Sequence, residues 1–510
     1  MSYSMHLLVA AATLALGKTP TEADPVPVAD RDWQEAIDPT LRRLKDVAER
    51  FRQEPITPAA MFHFEHELHR EGQELLRTIT QWACNRLEGE DVDALPKHVW
   101  FEASEYTRLN QKTPQNVWTR FGQIRLWRVG YRPTDKSGDA TIFPLALSLG
   151  LVHGATPALA ERAARLLSAS GMTQSQTLER LRQDCGVGWG VKKLRQVTEA
   201  VSRAMTEHRH ETQVEQLLGW LKQAADSRGK HKPVLSVGRD GITLGVRIKG
   251  GRLFEVASTG TVSVLDRRGK RVGTVYLAYT PESGQPTMSR ELTRLARDVL
   301  RRWQGPLPRL AYVTDAGDNE TAYYEKVLQR MKHPMTGQPL EWIRVVDFYH
   351  ASERIWKMAA LLFGKGQRAT AWARKMQKWL KKPGGVNRVL HSAAALRDLY
   401  LAKSKRAKFQ TAYRYLRDRM PYMRYADYRS LGVPLGSGVT EAACKTVYTQ
   451  RLKLSGMAWE RTGAQTILNL RVLQLSRVWE ATYRRVLADA GEAQVRGPLH
   501  SATPHAKKAA

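Results

Sequence analysis

Cysteine is scarce in this chain. Cys84, Cys185 and Cys444 are spread over 510 residues with no CxxC pair among them. Neither a zinc ribbon nor a disulfide framework is therefore encoded, zinc is not expected, and the protein reads as reduced and intracellular. Long apolar runs are lacking as well. The opening stretch MSYSMHLLVAAATLALG is apolar, but no Lys or Arg precedes it as a signal peptide requires, and it is too short to span a bilayer. No membrane is expected as a partner. Acids are outnumbered, with 50 Asp and Glu against 80 Lys and Arg and a formal net charge of +30. An excess of that size points to a polyanion, with nucleic acid ahead of membrane surfaces. A chain this long exceeds one hydrophobic core, so two or three structural units are expected.

What is present is a change of hydrophobic period along the chain. After a Pro-rich link (TPTEADPVPVAD), helices are predicted over 33–53 and 58–87, the second opened by Thr57 as N-cap and Pro58 in the first turn. Over 99–132 the runs become short and extended, and FGQIRLWRVGYR alternates as a half-buried strand does. Residues 156–225 return to helical spacing, broken at Ser-Gly and at Gly-Val-Gly-Trp. Two readings of that stretch stand side by side. One is a helix-turn-helix whose Lys192, Lys193 and Arg195 meet DNA; the other is a plain helical bundle with a solvated basic face.

From 232 the period becomes two, and VLSVGRDGI, TLGVRIKG, RLFEVAST and TVYLAYT predict three or four antiparallel strands joined by glycine turns. A helix over 289–303, strand LAYVTD, a helix over 320–331 and strand WIRVVDF follow, an alternation that implies an α/β sheet with parallel pairing in its second half. Residues 351–428 are helical, basic and dotted with Trp; another helix opens at GSGVTEAACK, and a final one is predicted over 461–488. The expected organisation is a flexible segment (1–30), a helical region (31–95), a small β element with a helix-turn-helix-like DNA-binding region (96–230), an α/β core (231–350), a helical insertion (351–430), a glutamate-bearing helix with C-terminal helices (431–490) and a disordered tail (491–510).

Three apolar strands each end on an aspartate: VLSVGRD at Asp240, LAYVTD at Asp315 and WIRVVD at Asp347. Active sites of open α/β sheets collect outside the carboxyl ends of strands, so these acids can converge. Glu441 follows the glycine turn Gly436-Ser437-Gly438, which would let its helix approach the sheet closely. Clustered carboxylates repel unless cations lie between them, the requirement of two-metal phosphoryl transfer with Mg²⁺ or Mn²⁺. Each acid also has a local reading: Asp347 as an N-cap, Asp315 as the start of an Asx turn, Asp240 ahead of a turn glycine. His350, one helical turn after Asp347, either orients a phosphate or a ligating carboxylate or is a structural histidine beside Tyr349. Lys445, Arg451 and Lys453 are candidates to hold DNA phosphates, with a solvated face as the alternative. Trp459 either stacks on a base or packs inside.

At these residues the sequence resembles the ISKra-type insertion-sequence transposases of bacteria, distant relatives of the Mutator-like group. The likeness rests on GRDG (238–241), VTDAG (313–317), VVDFYHASE (345–353) and above all GSGVTEAACKTVYTQRLKLSGMAW (436–459) followed by GAQTILNLRVL. It implies an α/β ribonuclease-H-like catalytic core with a helical insertion, preceded by a mainly helical DNA-binding region; the 94 residues from Asp347 to Glu441 accommodate the insertion. By the same resemblance Asp240, Asp315 and Glu441 are the catalytic and metal-holding triad, with Asp347 and His350 auxiliary. The implied activity is that of a DNA transposase that binds the inverted ends of its element, hydrolyses phosphodiesters there and joins the freed 3′-hydroxyls to target DNA. It would use two Mg²⁺ or Mn²⁺ ions, act as a homo-oligomer on double-stranded DNA, and work in the bacterial cytoplasm at the nucleoid. Similar proteins often carry a cysteine zinc ribbon after the FG-strand; PTDKSGDATIFP has no cysteine. The rival expectations are a structure-specific nuclease on the same core and a non-catalytic DNA-binding protein descended from a transposase.

Overall fold

The computed structural model describes residues 33–491 apart from residue 103 and residues 136–138. The expected flexible segment 1–30 and residues 492–510 of the expected tail lie outside the described residues. Two compact units emerge among the described residues: 33–208 together with 481–491 form unit 1, and Arg209–Glu480 form unit 2.

In unit 1, helices α1 (Trp33–Gln53) and α2 (Pro58–Asn85) pack against each other. Phe51 stacks on Phe64 at 4.2 Å and Trp33 meets Trp82 edge-on at 4.6 Å. Thr57 caps α2 as its sequence predicts, accepting from Ala60 N–H at 3.0 Å. Strands β1 (His98–Phe101), β2 (Ser104–Thr119) and β3 (Gly122–Pro133) form an antiparallel sheet in that order. The outer edge of β3 would expose unpaired backbone groups, but α2 and the turn after it cover that edge with polar side chains. Gln81 accepts from Arg125 N–H, Asn85 from Trp127 N–H and Glu88 from Val129 N–H, all at 2.8 Å. Helical steps of four and three residues thus match alternate residues of a strand. Helices α3 (Pro144–Ser148), α4 (Pro157–Ser168) and α5 (Gln174–Cys185) follow, the last opened by a capping box between Thr173 and Gln176. The 35-residue helix α6 (Val191–Ala225) continues past the unit boundary.

Unit 2 is built on β4 (Val234–Ile248), β5 (Gly251–Leu265), β6 (Arg271–Tyr279), β7 (Arg309–Thr314) and β8 (Trp342–Val346). Their spatial order is β6-β5-β4-β7-β8, antiparallel across the first three and parallel from β4 to β8. Parallel neighbours need crossovers, supplied by α7 (Pro286–Arg302) and α8 (Asp318–Lys326). The side-chain period of two sorts the strands between two cores. Leu235, Val237, Leu310 and Tyr312 pack with Leu292, Leu295 and Val299 of α7. Val234, Ala311, Val313 and Val345 pack with Ile355, Met358, Trp372 and Phe409 of the insertion. That insertion comprises α9 (Phe348–Phe363), α10 (Gln367–Leu380), α11 (Gly385–Tyr400), α12 (Arg406–Asp418) and α13 (Tyr425–Ser430). Helical winding resumes at α14 (Gly438–Ala443), passes through a π-helical stretch Cys444–Thr449 and ends in α15 (Gln450–Leu452).

Several expectations are corrected. VLSVGRDGI and TLGVRIKG are one 15-residue strand, giving three antiparallel strands, because Gly241 is not a turn residue. It pairs with Ser258 in the ladder, and a Cβ there would lie 2.7 Å from the Val256 side chain. Asp240 is consequently inside β4. The parallel ladder with β7 stops at Val237, so Asp240 still lies past the point where the strands part. The helix predicted over 320–331 begins at Asp318 and gives way after Lys326 to a 3₁₀ turn, Leu328–Arg330. The helix predicted over 461–488 is two, α16 (Arg461–Leu475) and α17 (Trp479–Gly491), separated at Arg477, whose φ is +59°. There Ser476 Oγ accepts from Tyr276 N–H at 2.9 Å. No described helix is long and apolar enough to cross a membrane.

The approach of α14 to the sheet depends on Gly238 of β4. A Cβ at that position would lie 2.0 Å from Thr440 Oγ1 and 2.7 Å from Thr261 Oγ1, two hydroxyls that are 2.8 Å apart and bonded to each other. Gly238→Ala should lower unfolding free energy in chemical denaturation by about 1–3 kcal/mol, the usual cost of overpacking a core. An unchanged denaturation midpoint would show that α14 does not rest on β4 this closely.

Candidate active site

Asp240, Asp315 and Glu441 belong to β4, to the turn after β7 and to α14. Burial pushes the Asp240 carboxyl above the usual aspartate range. Hydrogen bonds from Gly241 N–H at 2.7 Å and from the Cys444 thiol at 3.3 Å pull the other way, and the negative charges of Asp315 and Glu441 add to the rise. The three acids therefore share one electrostatic neighbourhood. Cys444 is buried, which with the Asp240 charge pushes its thiol up to about 12, so it stays neutral and able to donate.

Asp347 has a different part. Its carboxylate is fully buried directly after β8, where it caps α9: Oδ1 accepts from Tyr349 N–H and from His350 N–H, the latter at 3.0 Å. Oδ2 accepts from Ser437 N–H and lies 2.6 Å from Ser437 Oγ. Four donors fill the lone-pair capacity of a carboxylate, so Asp347 has a positioning role. Ser437 Oγ also lies 2.9 Å from Glu441 Oε1, and His350 Nε2 is 3.3 Å from the same oxygen. The other ring nitrogen of His350 faces Glu353 at 3.4 Å. Gly436 permits this closeness, since a Cβ there would stand 2.9 Å from the Tyr349 ring and 3.4 Å from Asp347 Oδ2. The N-cap reading of Asp347 and its link to the acid cluster are thus both realised, through one side chain.

The Asp315 turn is held from the insertion. Asp315 Oδ1 accepts from Gly317 N–H at 3.1 Å, the expected Asx turn, and Ala316 is buried with φ +61°, a conformation that costs a non-glycine residue energy. Two residues that sequence reasoning missed secure it. Tyr415 donates to Asp315 O at 2.7 Å and Arg419 to Ala316 O at 2.9 Å, with the guanidinium 4.4 Å above the Tyr415 ring. No local signal marks them, because each lies about a hundred residues from its partner.

A fifth acid was missed too. Glu320 of α8 is nearly buried, and its carboxyl is raised to about 7, first by burial and then by the charges of Asp315 and Asp240. Arg239 opposes this but does not outweigh it: Arg239 Nε is 3.8 Å from Glu320 Oε1, and the buried guanidinium bonds Ser289 Oγ and Gln285 Oε1 instead.

Among the expected phosphate-binding cations, Lys445 and Lys453 are exposed. Arg451 is corrected: it has no accessible surface, its guanidinium lies 5.1 Å from the Trp459 ring, and burial lowers it to about 10. Trp459 is packed, donating to Leu452 O at 2.9 Å while its backbone carbonyl accepts from Arg247 N–H at the outer edge of β4. In unit 1, Lys192 and Arg195 are exposed, with Arg195 donating to Gln174 Oε1 at 3.1 Å; Lys193 is half-buried and its ammonium is lowered by desolvation.

Three carboxylates that repel one another are the hard oxygen donors that Mg²⁺ or Mn²⁺ takes. Among the described residues, no group of three or more His, Cys, Asp and Glu stands at ligating separation. The acids are instead engaged by Gly241, Cys444, Gly317, Ser437 and His350. The donor chemistry of the three carboxylates fits a divalent cation.

No protein-family model matches the chain. It is similar to the UPF0236 protein in the vanSb 3′ region of Streptococcus gallolyticus, 25% identical over 370 residues that cover 71% of this chain and 73% of that protein. The likeness is distant.

Glu320 makes the site sensitive to pH. Its folded-state value of about 7 lies above the ordinary 4.5, so its favourable contribution is complete below 4.5 and is lost as pH rises through 7. In chelated buffer, Glu320→Gln should remove a fall in unfolding free energy on the order of 2–3 kcal/mol between those two pH values. An identical pH profile for both proteins would refute the assignment.

Proposed function

We propose that the protein is a DNA transposase with a ribonuclease-H-like core in unit 2, cutting phosphodiesters at the ends of its own element and joining the freed 3′-hydroxyls to target DNA. What supports it best is the placement of Asp240 on β4, Asp315 directly after β7 and Glu441 on α14, with the charges of the latter two acting on Asp240, in a mixed sheet ordered β6-β5-β4-β7-β8 with a helical insertion before the glutamate helix. The net charge of +30 and the motif resemblance support the same partner, double-stranded DNA.

Asp240, Asp315 and Glu441 are the residues that would hold Mg²⁺ or Mn²⁺. When bound, the cations lower the pKa of a water or 3′-hydroxyl and offset charge growing on the phosphoryl oxygens. In cutting, a water oxygen bonds to phosphorus while the bond to the 3′ oxygen breaks and that oxygen takes up a proton; in joining, the 3′-hydroxyl oxygen loses its proton and bonds to a target phosphorus while the bond from that phosphorus to the target's own 3′ oxygen breaks, leaving a 3′-hydroxyl on the target. The chain's own residues orient the acids. Asp347 fixes Ser437, whose hydroxyl oxygen also lies beside Glu441 together with His350, while Cys444 fixes Asp240 and Tyr415 with Arg419 fixes the Asp315 turn. A homo-oligomer is proposed because two element ends must be brought together. A nucleoid location in a bacterial cytoplasm follows from the same task.

Asp240→Asn, Asp315→Asn and Glu441→Gln should each reduce Mg²⁺-dependent cleavage of a labelled element-end duplex by about a thousandfold, as loss of groups acting as a unit does, while duplex binding stays within about threefold. Cleavage that survives all three substitutions would overturn the catalytic reading. A wild type that binds the duplex and never cuts it would favour a DNA-binding protein without catalysis.

A further inference from the structure

Net charge in this chain is concentrated where the catalytic reading does not use it. Residues 351–430 hold twenty Lys and Arg against four Asp and Glu, so +16 of the total +30 falls in the helical insertion. Seventeen of the twenty are exposed; Arg354, Arg397 and Arg419 are half-buried. The acids of the same stretch are occupied locally, Asp398 by Arg397, Asp418 by Arg417 and Asp427 by Arg424, while Glu353 faces His350. By contrast, the Arg290, Arg294 and Arg301 face of α7 is interleaved with Glu291 and Asp298 within 4.0 Å.

Charge is only part of the case. On α10, Arg374, Lys375 and Lys378, with Lys382 just beyond its end, follow spacings of three and four residues that align them along one side of a helix. The opposite side of α10 is apolar, with Trp372, Ala373, Met376 and Leu380 in the core shared with the sheet. The stripe therefore stands on a packed support. Helix α12 presents Arg406, Lys408, Arg414 and Arg417 to solvent while its Tyr415 reaches inward to Asp315 O. The insertion that carries these cations is thus bonded to the turn that holds a candidate catalytic acid.

We infer that the helical insertion is a nucleic-acid backbone clamp, whose α10 and α12 cations bind the phosphates of duplex DNA independently of sequence and deliver the strand to the Asp315 turn. This rests on the DNA reading above and adds the surface that supplies the non-specific affinity. Unpaired surface cations at helical spacing release counterions from a phosphate backbone, which makes salt dependence their signature. Sequence recognition is left to other elements.

The test uses the full-length chain with a fluorescent duplex of unrelated sequence, titrated across a range of salt. Replacing Arg374, Lys375, Lys378 and Lys382 together by Gln should make the slope of log K against log salt shallower by about three and weaken binding about tenfold or more near 0.15 M salt. The charge-preserving set Arg374→Lys, Lys375→Arg, Lys378→Arg and Lys382→Arg should retain wild-type slope, which separates charge from folding. Replacing Arg290, Arg294, Arg297 and Arg301 by Gln removes the same charge from α7 and should alter the slope by less than half as much. Equal effects from the two Gln sets, or an unaltered slope in the α10 set, would overturn the clamp while leaving the DNA reading in place. A wild type that binds no duplex at any salt yet binds vesicles of anionic lipid would overturn both.

Discussion

One buried carboxylate holds the candidate site together. Asp347 takes donors from two backbone N–H groups at the start of α9 and from the backbone and hydroxyl of Ser437, ninety residues further on. A fully buried charge is tolerable only when its lone pairs are met, and here the groups that meet them are the entry and the exit of the insertion. Meeting that demand brings the turn before α14 to the end of β8. Glu441 then lies one helical turn beyond Ser437, within reach of its hydroxyl and of His350. The insertion can be long because its two ends are joined at this point.

Around that junction the acids are separated by role. Asp347 is saturated, Glu320 is nearly buried and raised, and Asp240, Asp315 and Glu441 keep accessible surface. Burial and like charge both work against ionisation of Asp240, the condition a bound cation would relieve. Gly238 and Gly436 are two places of close approach, one admitting Thr440 to the sheet and the other admitting Tyr349 to the Ser437 turn.

Much of this was legible in the sequence, for identifiable reasons. Helix α2 was readable from Thr57 and Pro58, and β7 and β8 from short apolar runs ending on an acid. Asp315 and Asp347 were readable as acids that follow a strand, because a strand-terminal carboxylate is a local pattern, whereas Asp240 lies inside β4. Gly241 misled because a glycine after an aspartate reads as a turn, whereas here it makes room for the Val256 side chain across the ladder. Arg451 misled because basic residues on a helix ordinarily face water; the π-helical stretch Cys444–Thr449 ends two residues before it, and it packs beside Trp459. Cys444, Tyr415 and Arg419 act on partners a hundred or more residues away. Periodicity cannot report such pairs.

The central claim is that Asp240, Asp315 and Glu441 bind divalent metal together. Its most direct test replaces Mg²⁺ by Fe²⁺ and adds ascorbate and peroxide, so that radicals formed at the bound ion cut the chain nearby. Mass spectrometry should find cuts near residues 240, 315 and 441 at once, suppressed by excess Mg²⁺ and absent in Asp240→Asn. Cuts confined to one of these segments, or clustered elsewhere in the chain, would contradict the shared site.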